Sequence, residues 1–328
     1  MALQRAWYRS KFTWWLIALL PLHALFVIVS ECRRWCYRWG WCARYKAPIP
    51  VIVVGNISVG GTGKTPVTEA LVHWLKQQGF QPAIISRGYG GEGPFPQLVT
   101  TQTPPSMVGD EPKLLAQRTA VPVVVGPNRQ QAIELLIQSF PAVNIIISDD
   151  GLQHERLSRD LEIAVVDGER GIGNGWRLPI GPLRDPVTRL QQADLVVQNG
   201  VGQRTFGHCF QLQPGAWRRV VDDQPVTQPF GRAIAIAGIG HPQRFFATLQ
   251  QLAIAVEDSL AFADHHPYST EDFAAITHDV AVLMTEKDAA KCRTFARDNW
   301  YYLTVSAVFD DTFWQEFSRQ VNRITQEP

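Results

Sequence analysis

The sequence predicts an α/β protein: two α/β/α units with parallel sheets, preceded by a membrane-associated helix. Three observations carry this. Short β-branched runs alternate with helical stretches from residue 48 onward, the pattern of doubly wound parallel sheets. A glycine-rich loop follows the first of those runs, and the first 46 residues are basic, apolar and Trp-rich. At roughly 150 residues per domain, a chain of 328 makes two domains. With 45% apolar and 19% charged residues it can bury a core, which excludes disordered, collagen-like and disulfide-scaffold classes.

Residues 1–46 hold eight Lys/Arg against Glu31 alone, a net +7, while the remainder carries 23 against 29, a net −6. The basic character thus sits in one segment, which argues against a nucleic-acid-binding body. Six of the eleven Trp (Trp7, Trp14, Trp15, Trp35, Trp39, Trp41) flank the apolar run from Phe12 to Val29. As a helix those eighteen residues reach about 27 Å, barely the hydrocarbon thickness, and Pro21 and His23 interrupt the middle. Basic residues lie on both sides, so charge gives no orientation. A helix lying in or dipping into the cytoplasmic leaflet is favoured over a single span. No small-x-small cleavage site follows Val29, and Glu31 before Cys32 does not suit lipoprotein processing. Cys32, Cys36 and Cys42 lack metal-ligand spacing and read as unpaired apolar residues.

Pro48 and Pro50 end the basic segment, and Val51 to Val54 reads as a buried parallel strand. Similar runs follow at Ala83 to Ser86, Val121 to Val125, Ile145 to Ser148, Ile163 to Val166 and Leu195 to Gln198, with helices at Val67 to Gln78 and Arg129 to Ser139. The polar stretch Gly200 to Gly231, with Pro214, Pro225 and Pro229, reads as a crossover between domains. Beyond it, strands are expected at Ala233 to Ala237, Ala253 to Val256, Val280 to Met284 and Tyr301 to Val305, with helices from about Arg244, Thr270 and Phe313. The expected division is therefore 1–46, a membrane-associated segment; 47–200, a nucleotide-binding α/β domain; 201–231, the crossover; and 232–328, a smaller α/β domain.

Directly after the first strand comes Gly55-Asn56-Ile57-Ser58-Val59-Gly60-Gly61-Thr62-Gly63-Lys64-Thr65, with Pro66 suited to a first helical turn. Glycines let backbone N–H groups curl around an anion and the helix N-terminus adds its positive dipole end. Lys64 reaches the β- and γ-phosphates, and the Thr65 hydroxyl can ligate Mg²⁺. Gly60, Gly61, Thr62, Gly63, Lys64 and Thr65 are thus the nucleotide-binding set. The usual first glycine of the spacing is Ser58 here, but strand, loop and helix fall in order. The domains are accordingly Rossmann-like, of the P-loop NTPase type. Asp149 and Asp150 end a neighbouring strand and supply the acidic partner that holds Mg²⁺, directly or through water. Gln153 and His154 can face the same cleft.

Arg87 and Arg129 lie after strand ends and are candidate phosphate contacts, with local ion pairing as the alternative. Gly238-Ile239-Gly240 suits either nucleotide contact or a tight turn, and Glu286 and Lys287 either a cleft role or a salt bridge. A GTPase is disfavoured because Gly151 comes too early for a switch motif and Thr285-Glu286-Lys287-Asp288 places Lys one position late for base reading. Val59 stands where partition-type ATPases carry a signature Lys. An attacking hydroxyl needs a positioned base, for which Asp110 and the pair His265 and His266 are candidates.

The residues resemble one family over nearly the whole chain: tetraacyldisaccharide 4′-kinase, the bacterial lipid A 4′-kinase. The matching motifs are Gly55-Asn56 through Thr65-Pro66, Ser86-Arg87-Gly88-Tyr89-Gly90, Gly109-Asp110-Glu111-Pro112, Asp149-Asp150-Gly151-Leu152-Gln153-His154, Leu178-Pro179-Ile180-Gly181-Pro182-Leu183-Arg184, Asp264-His265-His266-Pro267-Tyr268 and Thr285-Glu286-Lys287-Asp288. Ile180 stands where Ala is more usual. The resemblance implies ATP- and Mg²⁺-dependent phosphorylation of the 4′-hydroxyl of an acylated glucosamine disaccharide 1-phosphate at the cytoplasmic face of the inner membrane. It also implies two α/β/α domains with ATP between them, and a pairing of Asp110 with His265 across the cleft, His266 being restrained by Pro267. Lys64 and Asp150 join the catalytic set; Arg87, Glu111, Arg129 and Gln153 are the expected substrate contacts; Thr65 and Asp149 the metal ligands. Membrane lipid is a partner; no nucleic acid or protein partner is implied. The competing reading is a membrane-associated P-loop ATPase acting as a switch or assembly factor.

Overall fold

A computed structural model describes residues 2–9, 13–202, 204–227, 230–264 and 266–326. Its strands are Val51–Gly55 (β1), Pro82–Ser86 (β2), Gln97–Leu98 (β3), Val123–Val125 (β4), Ile145–Asp149 (β5), Leu161–Asp167 (β6), Leu195–Asn199 (β7), His208–Arg219 (β8), Pro225–Val226 (β9), Ala233–Ala237 (β10), Asp258–Ala261 (β11), Ala281–Thr285 (β12) and Trp300–Phe309 (β13). The α-helices are Ala2–Trp7 (α1), Leu20–Arg38 (α2), Lys64–Gln77 (α3), Pro105–Val108 (α4), Asp110–Thr119 (α5), Arg129–Ser139 (α6), Pro242–Gln251 (α7), Glu286–Cys292 (α8) and Asp311–Gln326 (α9).

β1 shows why its run is uniformly apolar. Ile52 and Val54 face one side, where Val67 and Leu71 of α3 and Phe317 of α9 pack, and Val51 and Val53 face the other, against Ala132 and Leu136 of α6. Its neighbours β5 and β6 are both parallel to it, so both faces and both edges are covered.

The two strand series of the sequence are halves of one mixed, mostly parallel sheet, ordered β11-β10-β12-β13-β8-β7-β6-β1-β5-β2-β4-β3 with β9 paired to β8. The join is β8, inside the stretch read as a polar crossover: it runs parallel to β7 and antiparallel to β13. Pro214 and Gly215 masked it, and the β13 pairing shifts register between Leu303 and Val305 beside them, an irregularity that tolerates a residue without an N–H.

Other elements depart from expectation for local reasons. The strand placed at Ala253 to Val256 is instead β11, Asp258–Ala261, an exposed edge strand parallel to β10. Ala253 lies at φ 54° after α7, and the Ile254 N–H bonds back to the Leu249 carbonyl, so the apolar run closes the helix. The helix expected near Thr270 is a single 3₁₀ turn, Thr270–Phe273, closed by a Ser269/Asp272 capping box. Pro21 does not interrupt the N-terminal helix: a 3₁₀ turn over Trp14–Leu19 leads into α2, and Pro21 occupies its first turn, where a missing N–H costs nothing. His23 contacts the carbonyls of Arg177 and Leu178 at 3.0 and 3.2 Å. Ile180 is buried against Ala6 and Leu16.

Candidate active site

The glycine loop leaves β1 at the carboxyl edge of the sheet. Gly55 sits so close to Leu152 that a Cβ would approach its Cβ to 2.6 Å, and Gly60 and Gly63 take φ of 103° and 96°, values that favour residues without a Cβ. The loop is braced from beneath. The Asn56 amide donates to the Thr62 hydroxyl at 3.3 Å, and the Asn199 amide, from the end of β7, donates to the Thr62 carbonyl at 3.4 Å. α3 then begins at Lys64, with Thr65 half-buried in its first turn.

The two aspartates after β5 have opposite characters. Asp150, in the left-handed region at φ 48°, lies 3.3 Å from Lys64 Nζ and 3.4 Å from the Arg184 guanidinium. Burial would raise its pKa, but those two cations outweigh it and hold the carboxyl below its ordinary value. Asp149 is buried and accepts from the Thr68 hydroxyl at 3.3 Å, while its Oδ2 has no hydrogen-bond partner. Burial, reinforced by the charge of Glu111, pushes it up to about 7. An orphaned carboxylate oxygen short of positive charge, together with the Thr65 hydroxyl, suits a hard divalent cation such as Mg²⁺. Among the described residues no group of three or more His, Cys, Asp or Glu forms a metal site.

The expected substrate contacts divide. Arg87 is exposed on the rim of the cleft and makes no ion pair among the described residues. Arg129, by contrast, does not line the cleft: it is 2% exposed and donates to the carbonyls of Gly126 at 2.9 Å and Asp149 at 3.1 Å. Its work is to hold the end of β5. Gln153 is braced at both ends, donating to the Asn56 carbonyl and to Asp185 and accepting from Arg184. Glu111 pairs with Lys287 of α8 at 2.7 Å. Burial raises its pKa, but Lys287 and then Lys64 bring it below the ordinary value. Asp110 lies 3.5 Å from Lys291. His266 pairs with Asp272 at 3.2 Å, and His265 lies outside the described residues. His154 is kept neutral, down to about 4, by burial and then by Arg129.

Across the cleft, Gly240 follows β10 and a Cβ there would sit 3.1 Å from the Gly61 nitrogen. The turn after β10 therefore closes onto the glycine loop, and Arg170 secures it by donating to the Gly240 carbonyl at 2.6 Å. Between them lies a cleft of 1440 Å³ that runs from Lys64 past Arg87 and Glu111 to Phe26, Val29 and Arg33 of α2. Arg184, Asn199 and Arg118 also line the cleft, and Lys291 pairs with Asp110, with no role expected for any of the four from sequence. Arg184 was visible within the Leu178-to-Arg184 motif; the others carry no local signal.

Comparisons with known proteins converge. A family model described as tetraacyldisaccharide-1-P 4′-kinase (LpxK) matches residues 15–322. The chain belongs to this family. Among curated relatives, the tetraacyldisaccharide 4′-kinase of Idiomarina loihiensis is 49% identical over 94% of this chain and 93% of its own length. That of Aeromonas salmonicida is 50% identical over 93% and 92%, and that of Methylobacillus flagellatus 46% identical over 99% and 97%. Among solved structures, an "apo" form of LpxK from Aquifex aeolicus in complex with ATP superposes with a TM-score of 0.78 at 28% identity, covering 94% of this chain and 99% of that one. The braced glycine loop, the aspartate pair and the cleft described above are thus those of a tetraacyldisaccharide 4′-kinase family member.

Proposed function

We infer that the protein is an ATP-dependent kinase that transfers the γ-phosphate to the 4′-hydroxyl of a tetraacyldisaccharide 1-phosphate in lipid A biosynthesis. One observation carries the reading beyond family membership: the cleft that begins at Lys64 is continuous with the inner face of α2. The outer face of α2 exposes Leu22, Leu25 and Ile28, and Trp14–Arg38 is long and apolar enough to cross a membrane. A phosphate donor seated on the loop and an acylated acceptor held in a leaflet would meet there. In this reading the enzyme works at the cytoplasmic face of the bacterial inner membrane.

In this reading Gly60 to Gly63 wrap the phosphates and Lys64 shifts from Asp150 to the β- and γ-phosphates, leaving Arg184 to hold Asp150. Thr65 and Asp149 would hold Mg²⁺, which would supply charge neutralisation at the phosphates. Arg87, exposed at the rim, receives an anionic group of the acceptor. Asp110 and His265 take the proton from the attacking hydroxyl. Arg129 has no part in substrate binding.

The test is incubation of the purified protein with γ-labelled ATP and acyl-disaccharide 1-phosphate, with Lys64→Ala alongside. Label should move to the lipid, and Lys64→Ala should lose more than about a hundredfold in rate. Label found only in ATP and free phosphate would favour the switch-ATPase reading instead.

A further inference from the structure

Asp110 and Glu111 occupy the first turn of α5, and α8 presents two lysines to them at i, i+4 spacing on one face. Lys287 meets Glu111 at 2.7 Å and Lys291 meets Asp110 at 3.5 Å. The second pair is unusual. The side chain of Lys291 is 9% exposed, and its Nζ is buried without a hydrogen-bond partner among the described residues. An ammonium has three donors, and burying one with none satisfied costs folding free energy. Such departures from local consistency concentrate at functional sites.

The surroundings hold this ammonium in place. The Tyr268 ring lies 5.8 Å from Lys291 Nζ, and the Tyr268 hydroxyl donates to Asp288 Oδ1 at 3.2 Å. Asp288, fully buried, also accepts from the Gly238 N–H at 3.1 Å and the Thr285 hydroxyl at 2.6 Å. Asp288 therefore fixes the start of α8 to β10, β12 and the Tyr268 loop at once, and the two lysines project from a rigid base.

We propose that Lys291 is a positioning residue for the phosphoryl transfer, holding the Asp110 carboxylate through Oδ2 so that it keeps one orientation toward the acceptor hydroxyl. The inference rests on the reading of Asp110 as part of the base. Because α5 and α8 belong to opposite sides of the cleft, the contact also ties that orientation to the approach of the two sides. Lys287 serves Glu111 in the same way through a direct hydrogen bond.

The test compares Lys291→Met, Lys291→Gln, Lys291→Arg, Asp110→Asn and the Lys291→Met/Asp110→Asn double variant in the full chain, reading kcat, KM for ATP and for the lipid, ATP binding and thermal midpoint. A misaligned base is expected to lower kcat by about 10²-fold in Lys291→Met and Lys291→Gln while KM for ATP, ATP binding and the thermal midpoint stay near parental. Lys291→Arg should recover most of the rate, and the double variant should fall no further than Asp110→Asn alone. Parental kcat in the neutral variants, or losses that add, would overturn the proposal while leaving Asp110 in place if Asp110→Asn is impaired. A parental rate in Asp110→Asn would instead overturn the base assignment and this inference with it. Should both neutral variants fail to fold, the arginine variant decides: a rate near that of Asp110→Asn would remove charge as the operative property.

Discussion

Arg87 and Arg129 are the same residue type after neighbouring strand ends, yet the structure gives them opposite surroundings. Arg129 satisfies two backbone carbonyls from a fully buried position, one of them belonging to Asp149. Removing it strands those acceptors, and each buried unsatisfied group costs about 1–3 kcal/mol. Arg129→Met is therefore expected to lose about 2–4 kcal/mol of stability in a denaturant titration, with activity lost in proportion to unfolding. Arg87 is exposed and makes no ion pair among the described residues, so Arg87→Ala should unfold like the parent and raise the lipid KM. Reversed outcomes, a stable Arg129→Met with raised KM or an unstable Arg87→Ala, would exchange the two assignments.

At the scale of elements, α2 is both an exposed apolar surface and a wall of the cleft. Its inner side is tied to the body through Glu31 and Arg177 at 2.5 Å and Arg34 and Asp185 at 2.6 Å. Asp185 continues through Gln153 to Arg184 and Asp150. Deleting residues 1–46 would cut into this chain as well as into the apolar face, so it is a poor probe of either. Leu25→Asp touches only the outer face, where Leu25 is 58% exposed. A charge in hydrocarbon costs about 3 kcal/mol, so vesicle sedimentation should show clear loss of membrane binding while ATP binding and thermal midpoint hold. Undiminished sedimentation would assign the contact with membranes to another surface.

For the whole molecule, Arg118 of α5 is the main joint. Its guanidinium lies 3.1 Å from Glu69 of α3 and 3.1 Å from Glu286 of α8, and it donates to the Val305 carbonyl of β13 at 2.8 Å. One cation shared by two carboxylates does not offset their burial. Burial is the larger effect on Glu286 and pushes it up to about 7, Arg118 opposing; Glu69 is raised for the same reason. An acid whose folded pKa exceeds its unfolded one holds its proton more tightly when folded. Its contribution is full below the unfolded value near 4.5 and is lost as pH rises through about 7, by up to about 3 kcal/mol. Stability of the parent relative to Glu286→Gln should therefore fall between pH 5 and 8, read from urea midpoints at each pH. Parallel curves for the two proteins would show that Glu286 titrates normally.

Much of this was legible in the chain itself. The β1 run, the glycine loop and the Asp149-Asp150 strand end could be read because each is local: a strand buried on both faces must be apolar throughout, and a loop that wraps phosphates needs glycines before a helix start. The apolar run of α2 was legible for the same reason, since a helix long and apolar enough to cross a membrane is written in one continuous stretch. Long-range pairing was not. β8 joins the two strand series into one sheet although its prolines read as a linker, because what makes it a strand is β13 and β7 on either side. Arg129 and Arg87 have equivalent sequence contexts, and only packing decides which guanidinium meets carbonyls and which meets solvent. Lys291 meets Asp110, 181 positions before it, only because α5 and α8 are brought together by the sheet. Hydrophobic periodicity and turn chemistry are properties of neighbours in sequence, whereas burial, ion pairing and orphaned polar groups are properties of neighbours in space.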